Sequence, residues 1–196
     1  MPSISQQRIT LSNLKVAEFA SEETLCFSAT VLFDGKPIAH ASNDGHGGST
    51  FLRPLQAPDS RDRLQEAESF AKSLPPDVTD YPDPNDSARK MTIEVTLDYL
   101  VDCLAEQQHT DKKVRSLFNR DMNNKVLFLK GDRLLFLKGI KPKTIADKPV
   151  FFAKLRAKQG DDIVILDELP REEAFARWKR HAVDGDPSWP AYTDEP

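Results

Sequence analysis

Leu25-Cys26-Phe27-Ser28-Ala29-Thr30-Val31-Leu32-Phe33, then Asp34-Gly35, then Lys36-Pro37-Ile38-Ala39-His40-Ala41-Ser42, is the stretch that decides the fold class. Leu25, Phe27, Ala29, Val31 and Phe33 are apolar, with Cys26, Ser28 and Thr30 between them. That period of two sends one face of a strand into a core and the other toward water. Asp34-Gly35 supplies residues that tolerate the positive φ of a tight hairpin turn. Lys36 to Ser42 then returns as a second strand, and Pro37, with no amide hydrogen to give to a ladder, places its start at an edge. Leu14 to Phe19 reads as a strand ahead of this hairpin. A chain that opens in this way predicts an antiparallel β-meander.

Beyond the meander the period changes. Leu64, Ala67, Phe70, Ala71 and Leu74 share one helical face over Asp59–Leu74, with Asp59 or Ser60 as the N-cap and Pro75-Pro76 as the stop. Residues 75–90 are rich in proline and acids and predict an exposed loop, which also marks the boundary between two halves. Met91, Ile93 and Val95 alternate briefly. Thr96 can cap a helix whose inner face is Leu97, Leu100, Val101 and Leu104, and Asp111 to Arg120 forms a second helical piece around Val114, Leu117 and Phe118. Val126–Leu129 and Leu134–Leu137 flank Lys130-Gly131-Asp132-Arg133 as a hairpin. A helix is predicted over Lys148–Gln159, opened by Pro149 and closed by Gly160. Ile163–Leu166 reads as a buried strand, and Pro170–His181 as a last helix with Ala174, Phe175 and Trp178 inward.

These elements give an α+β class. Residues 1–74 form the β-meander plus a helix and 75–90 the loop. Residues 91–182 form an α+β half packed on the first, with a helical region, a β-hairpin and a C-terminal helix. Residues 183–196 form a flexible tail.

Composition narrows the function classes. The chain has 196 residues, 39% hydrophobic and 30% charged, and a net charge of -4. Its mean hydropathy is -0.52. No apolar run approaches the ~20 residues that span a bilayer, so no membrane partner is expected. The first residues lack the charged and apolar regions of a signal peptide, which predicts a cytoplasmic location. A small negative charge argues against nonspecific binding to phosphates along the whole chain. Cys26 and Cys103 form no CxxC pair and read as small packed hydrophobes.

One segment stands out for function: Asn43-Asp44-Gly45-His46-Gly47-Gly48-Ser49-Thr50 holds three of the chain's eight glycines and one of its four histidines. Successive amides opened by glycine can cradle a phosphate or carboxylate. His46 would supply a proton donor or base, and Asn43 or Asp44 would orient it. The same residues also suit a strand-ending turn, with Asp44-Gly45 making the bend. Complete motifs are missing: Gly45-His46-Gly47-Gly48 has no GxSxG elbow to serve, no GxxxxGK[ST] loop occurs, and GxGxxG fails at Thr50. No catalytic residue is assigned, and no cofactor is expected.

The remaining candidates are more diffuse. His40, His46 and Asp44 lack the spacing of a metal centre, and no metal ligand is assigned. His40 reads as a structural histidine of the return strand. Glu22-Glu23-Thr24 precedes the central strand, where a carboxylate could reach His46, although glutamates ahead of a strand read first as solvated surface. Asp102 and Glu106 lie one helical turn apart, either as a cation site or as a solvated face. Lys112, Lys113 and Arg115, with Arg120, Lys125, Lys130, Arg133, Lys138, Lys141 and Lys143, make the middle of the chain basic and nucleic-acid contact conceivable.

Ser21-Glu22-Glu23-Thr24-Leu25-Cys26-Phe27, Phe33-Asp34-Gly35-Lys36 and Ser42 to Gly48 together resemble a family of hypothetical proteins carried by bacteriophages and plasmids. Val126–Leu129 and Leu169-Pro170 match its later features. The resemblance implies an accessory protein of a mobile element acting inside a bacterial host cell. The leading expectation is a counter-defence factor, such as an anti-CRISPR or anti-restriction protein, that binds and blocks a host protein or nucleoprotein complex. A nucleotide- or phosphate-binding protein or enzyme at the Asn43–Thr50 loop stays open, as does a DNA-associated accessory factor.

Overall fold

The computed structural model describes residues 4–84 and 86–185. They form an α+β fold in two compact units that divide between Thr110 and Asp111. In the first unit, β1 (Ile9–Val16), β2 (Phe27–Phe33), β3 (Lys36–Asn43) and β4 (Phe51–Pro54) pair antiparallel in chain order. The expected meander is therefore present, and Asp34 and Gly35 both take positive φ, 50° and 74°, at its first tight turn. Arg8 clamps that turn with two hydrogen bonds to the Asp34 carboxylate, at 2.9 and 2.7 Å.

Two details differ from expectation. The first strand covers Ile9–Val16 rather than Leu14–Phe19. Asn13, with φ of 53°, forms a bulge that shifts the register between Ser12 and Lys15, so a period-two count loses phase there. β4 was not signalled, since four residues are too few to show a period. It makes β3 an interior strand. Pro37 is tolerated because β4 pairs only with Ala39–Ser42 and leaves that end of β3 open.

The inner face of the sheet carries Ile9, Phe27, Ala29, Val31, Phe33, Ile38, Ala39 and Ala41, all buried. Helix α1 (Ser60–Lys72) covers it through Ala67 and Ala71, and the first half of α2 (Leu97–Asn124) through Leu97, Leu100, Val101 and Ala105. Alanine at these positions lets helix and sheet approach closely, and each large apolar side chain buried contributes about 1.5–3 kcal/mol. Asp59 precedes α1 as expected, but its side chain makes no cap hydrogen bond.

The expected loop at 75–90 is largely a hairpin, β5 (Asp77–Asp83) with β6 (Asp86–Ile93). A two-stranded ribbon leaves each strand an open edge, so Pro82 costs no interior ladder bond; the register shifts on both sides of it. Nor does the division between units fall there. It falls within α2, a single helix of 28 residues that joins the two pieces read from the sequence. The polar run Glu106 to Lys113 interrupts the apolar spacing, but glutamate, glutamine and lysine are good helix formers and carry the helix through.

The second unit contains the end of α2, a three-stranded sheet and two helices. Its sheet has the order β8 (Arg133–Leu137), β7 (Val126–Lys130), β9 (Val164–Ile165). The central β7 is buried on both faces. Leu127 and Leu129 pack with Phe118, Met122, Leu166 and Trp178, while Val126 and Phe128 pack with Phe152, Leu155, Ile163 and Ile165. Helix α3 (Lys148–Gln159) starts on Asp147, whose carboxylate accepts from the Val150 amide, and ends at Gly160 with φ of 118°. Helix α4 (Arg171–Ala182) buries Ala174 and Trp178. The strand expected over Ile163–Leu166 is only two residues long, because Leu166–Glu168 turns into a 3-10 helix. Of the expected tail, 186–196 lies outside the described residues.

Candidate functional site

Asn43, at the end of β3, organises the glycine loop. Its side chain is buried, and its Oδ1 accepts from the Thr24 hydroxyl and the Gly45 amide, both at 2.9 Å. Its Nδ2 donates to the Gly48 carbonyl at 3.0 Å and to Thr50 Oγ1 at 3.2 Å. The Gly45 carbonyl in turn accepts from the amides of Glu22, Glu23 and Thr24, at 3.1, 2.9 and 3.3 Å. The loop is thereby tied to the segment before β2 by both its side chains and its main chain.

The glycines have separate reasons. Gly45 has φ of 89°, and a Cβ there would lie 2.0 Å from the Ala20 carbonyl oxygen. Gly47 has φ of 79°, and its Cβ would meet Glu23 Oε2. Gly48 meets nothing. Loop amides that an anion cradle would use have other partners: Gly45 N–H goes to Asn43, His46 N–H to the Asp44 carboxylate at 3.2 Å, and Gly47 N–H to Thr24 Oγ1 at 3.4 Å.

His46 is more than half exposed. Its nearest carboxylates are Asp44 at 3.7 Å and Glu22 at 3.9 Å, beyond hydrogen-bond length. Glu22 is thus a loose contact of His46 on an exposed surface, and the pairing that the sequence allowed is not a hydrogen bond. His40 is not enclosed as expected of a structural histidine. It is exposed on the outer sheet face, between Thr30 and Arg53.

The loop's last polar link leads to a cavity. Thr50 donates its hydroxyl to Asp102 on α2 in a short hydrogen bond. Asp102, with Thr24, Leu25, Tyr99, Cys103 and Glu106, lines a cavity of about 300 Å³. A second, more open hollow of about 350 Å³ shares Thr24, Leu25 and Glu106 and adds Glu22, Glu23 and His109. The two adjoin through these shared residues, and together they are called the groove, along the Ser21–Leu25 segment and a face of α2. His109 at its far end pairs with Glu18 at 3.0 Å.

Burial pushes the Asp102 carboxyl up to about 6 against the Thr50 hydrogen bond, and the Asp98 and Glu106 carboxylates raise it further. Burial also pushes the Cys103 thiol up to about 11, so it is not a thiolate at neutral pH. Tyr99 donates to buried Asp77 at 2.7 Å, and burial followed by that bond raises its phenol. The groove is therefore an acidic recess, with Leu25, Tyr99 and Cys103 also in its wall, in which one carboxylate is held against its preference for water. Asp102 is half-buried here rather than part of a solvated face, while Glu106 beside it is exposed.

Sequence reasoning missed Tyr99 and Asp77 altogether. Asp102 reads from the sequence, with Glu106, as a cation site or a solvated face; the signal for its burial is its place next to Val101, one step off the apolar stripe of α2 and so at the edge of the core. Cys26 and Cys103 are free and only half-buried, and Cys103 lines the cavity.

The basic stretch at the start of the second unit is less available than it reads. Arg115 makes two hydrogen bonds to Glu172, at 2.8 and 3.0 Å, and stacks 4.2 Å over Phe175. Lys112 and Lys113 are exposed on α2. Phe118 is buried, as expected of a core position, with Arg171 over its ring at 4.8 Å. Among the described residues, no group of three or more His, Cys, Asp or Glu is placed to hold a metal ion, and no helix is long and apolar enough to cross a membrane. No protein-family model, curated protein or solved structure matches the chain.

Proposed function

We propose that this protein works by binding, and that its site is the acidic groove between Ser21–Leu25 and α2 rather than the glycine loop beside it. The observation behind this reading is Asp102: a carboxylate raised to about 6 at the wall of a cavity, with Glu106 next to it and Glu22 and Glu23 farther along. A cationic side chain entering the groove would relieve both the desolvation and the mutual repulsion of these groups. The complementary partner is an arginine- or lysine-bearing segment of another protein. The loop supports the site by fixing Thr24 and Thr50.

The resemblance to mobile-element proteins supplies the context, a counter-defence factor that occupies a cationic surface of a host nucleic-acid-processing complex such as a CRISPR or restriction enzyme. The test is the plating efficiency of a targeted phage on a host with an active defence system, with and without this protein. Protection is expected from the wild type and lost in the Asp102→Asn/Glu106→Gln variant. No protection against any such system, or protection indifferent to the groove variant, overturns the reading.

A further inference from the structure

We propose that the outer face of the four-stranded sheet is a docking surface for single-stranded nucleic acid. The face is unlike the acidic groove in chemistry. One cross-strand row runs Ser12, Thr30, His40, Arg53, and the adjacent row runs Lys15, Ser28, Ser42, Phe51. Neither row contains a carboxylate. With strands about 4.8 Å apart, each row spans about 14 Å.

The inward side chains of these strands make the core; of the outward ones Ser12 and Thr30 are half-buried and the other six exposed. Phe51 is 66% exposed on the terminal strand β4. Lys15, His40, Ser42 and Arg53 are exposed as well. Among the described residues, Lys15, His40 and Arg53 have no salt bridge, in contrast to Arg115 of the basic stretch.

This set of groups selects one class of occupant. Lysine, arginine and serine or threonine hydroxyls are the usual donors to phosphate and sugar oxygens. Serine is depleted at the centre of protein–protein interfaces, which argues against a protein on this face. Ser28 and Ser42 keep the row between Lys15 and Phe51 low, so that a base can reach the exposed ring of Phe51 and stack on it. Cations at opposite edges, Lys15 on β1 and Arg53 on β4, can hold a backbone crossing the strands. A sheet face with basic edges and an exposed aromatic is a general solution for unpaired bases, which duplexes do not offer.

The experiment is fluorescence anisotropy of a labelled deoxythymidine 20-mer titrated with the full chain at several salt concentrations. Saturable binding is expected, weakening with salt at a log–log slope of about 2 for two to three phosphate contacts on a single strand. Lys15→Glu/Arg53→Glu should weaken binding at least tenfold. Phe51→Ala should weaken it by about tenfold with the salt slope unchanged, because stacking releases no counterions. All three side chains are exposed, and circular dichroism and thermal melting of the variants check that they fold. The proposal is overturned if no saturable binding occurs at low salt, or if charge reversal leaves the affinity unmoved. It is also overturned if Phe51→Ala changes nothing while heparin competes as well as the oligonucleotide, which would make the face a general anion surface. Asp102→Asn/Glu106→Gln should leave this binding intact, so the sheet face and the groove fail or stand separately.

Discussion

Asp102→Asn should stabilise the protein at neutral pH and leave it unchanged in acid. In the unfolded chain this carboxyl has its ordinary value of 3.8, and in the folded protein burial raises it to about 6. The folded state therefore binds the proton more tightly between those values. Its contribution to stability is fully present below pH 4 and lost as pH rises through about 6. Each tenfold change in proton affinity is worth about 1.4 kcal/mol, so the rise sets a ceiling of about 3 kcal/mol. Water reaches this half-buried group, and screening reduces the effect to about 1 kcal/mol. Asparagine keeps an oxygen that can accept from the Thr50 hydroxyl, so the substitution removes the charge without orphaning its neighbour. Urea unfolding followed by far-ultraviolet circular dichroism at about pH 7.5 and about pH 3, well below the unfolded value, measures the difference. The midpoint should rise by about 0.5 M at the higher pH for a slope of about 2 kcal/mol/M, and by almost nothing at the lower. A variant that is less stable at pH 7.5, or equally shifted at both values, would show that Asp102 is not held against a desolvation cost.

The loop glycines should rank by what their Cβ meets. Gly45→Ala is expected to cost about 3 kcal/mol or more, since positive φ and a rigid carbonyl both oppose it; Gly47→Ala about 1 kcal/mol, because the Glu23 side chain can move; and Gly48→Ala close to nothing, all read from thermal melts. Asn43→Ala removes all four side-chain hydrogen bonds of the loop hub and should cost about 2–4 kcal/mol in the same assay. In the second unit, Trp178→Ala should cost about 3–5 kcal/mol. Trp178→Phe should cost much less than its loss of volume suggests, because the buried Nε1–H has no acceptor among the described residues. Equal effects of the two Trp178 substitutions on the unfolding midpoint would contradict that account.

Much of the architecture could be read directly from the sequence, for physical reasons that also explain the gaps. The β2–β3 hairpin, the β7–β8 hairpin and the last two helices carry strong local signals: period-two apolar positions, glycines at positive φ, Pro149 at a first turn and Gly160 at an end. Where tertiary pairing overrode composition, the sequence was silent. Pro82 could enter a strand only because β5 and β6 form an isolated ribbon, and the polar middle of α2 could stay helical without an apolar stripe. At the candidate site, the glycines and Asn43 announced a special backbone correctly. Their purpose became visible only through Ala20, Glu23 and Thr24, which are distant in the chain and meet the loop by way of the sheet. Asp102 looked like surface because its burial depends on Thr50, 52 residues away.

The account rests on the groove being the contact surface and the loop its support. Titration calorimetry of an arginine-rich decapeptide into the full chain at pH 7.5 separates the two. The wild type and His46→Ala should bind with the same affinity, and Asp102→Asn/Glu106→Gln should bind at least tenfold more weakly. Weakened binding by His46→Ala together with undiminished binding by the groove variant would contradict it and return the site to the glycine loop.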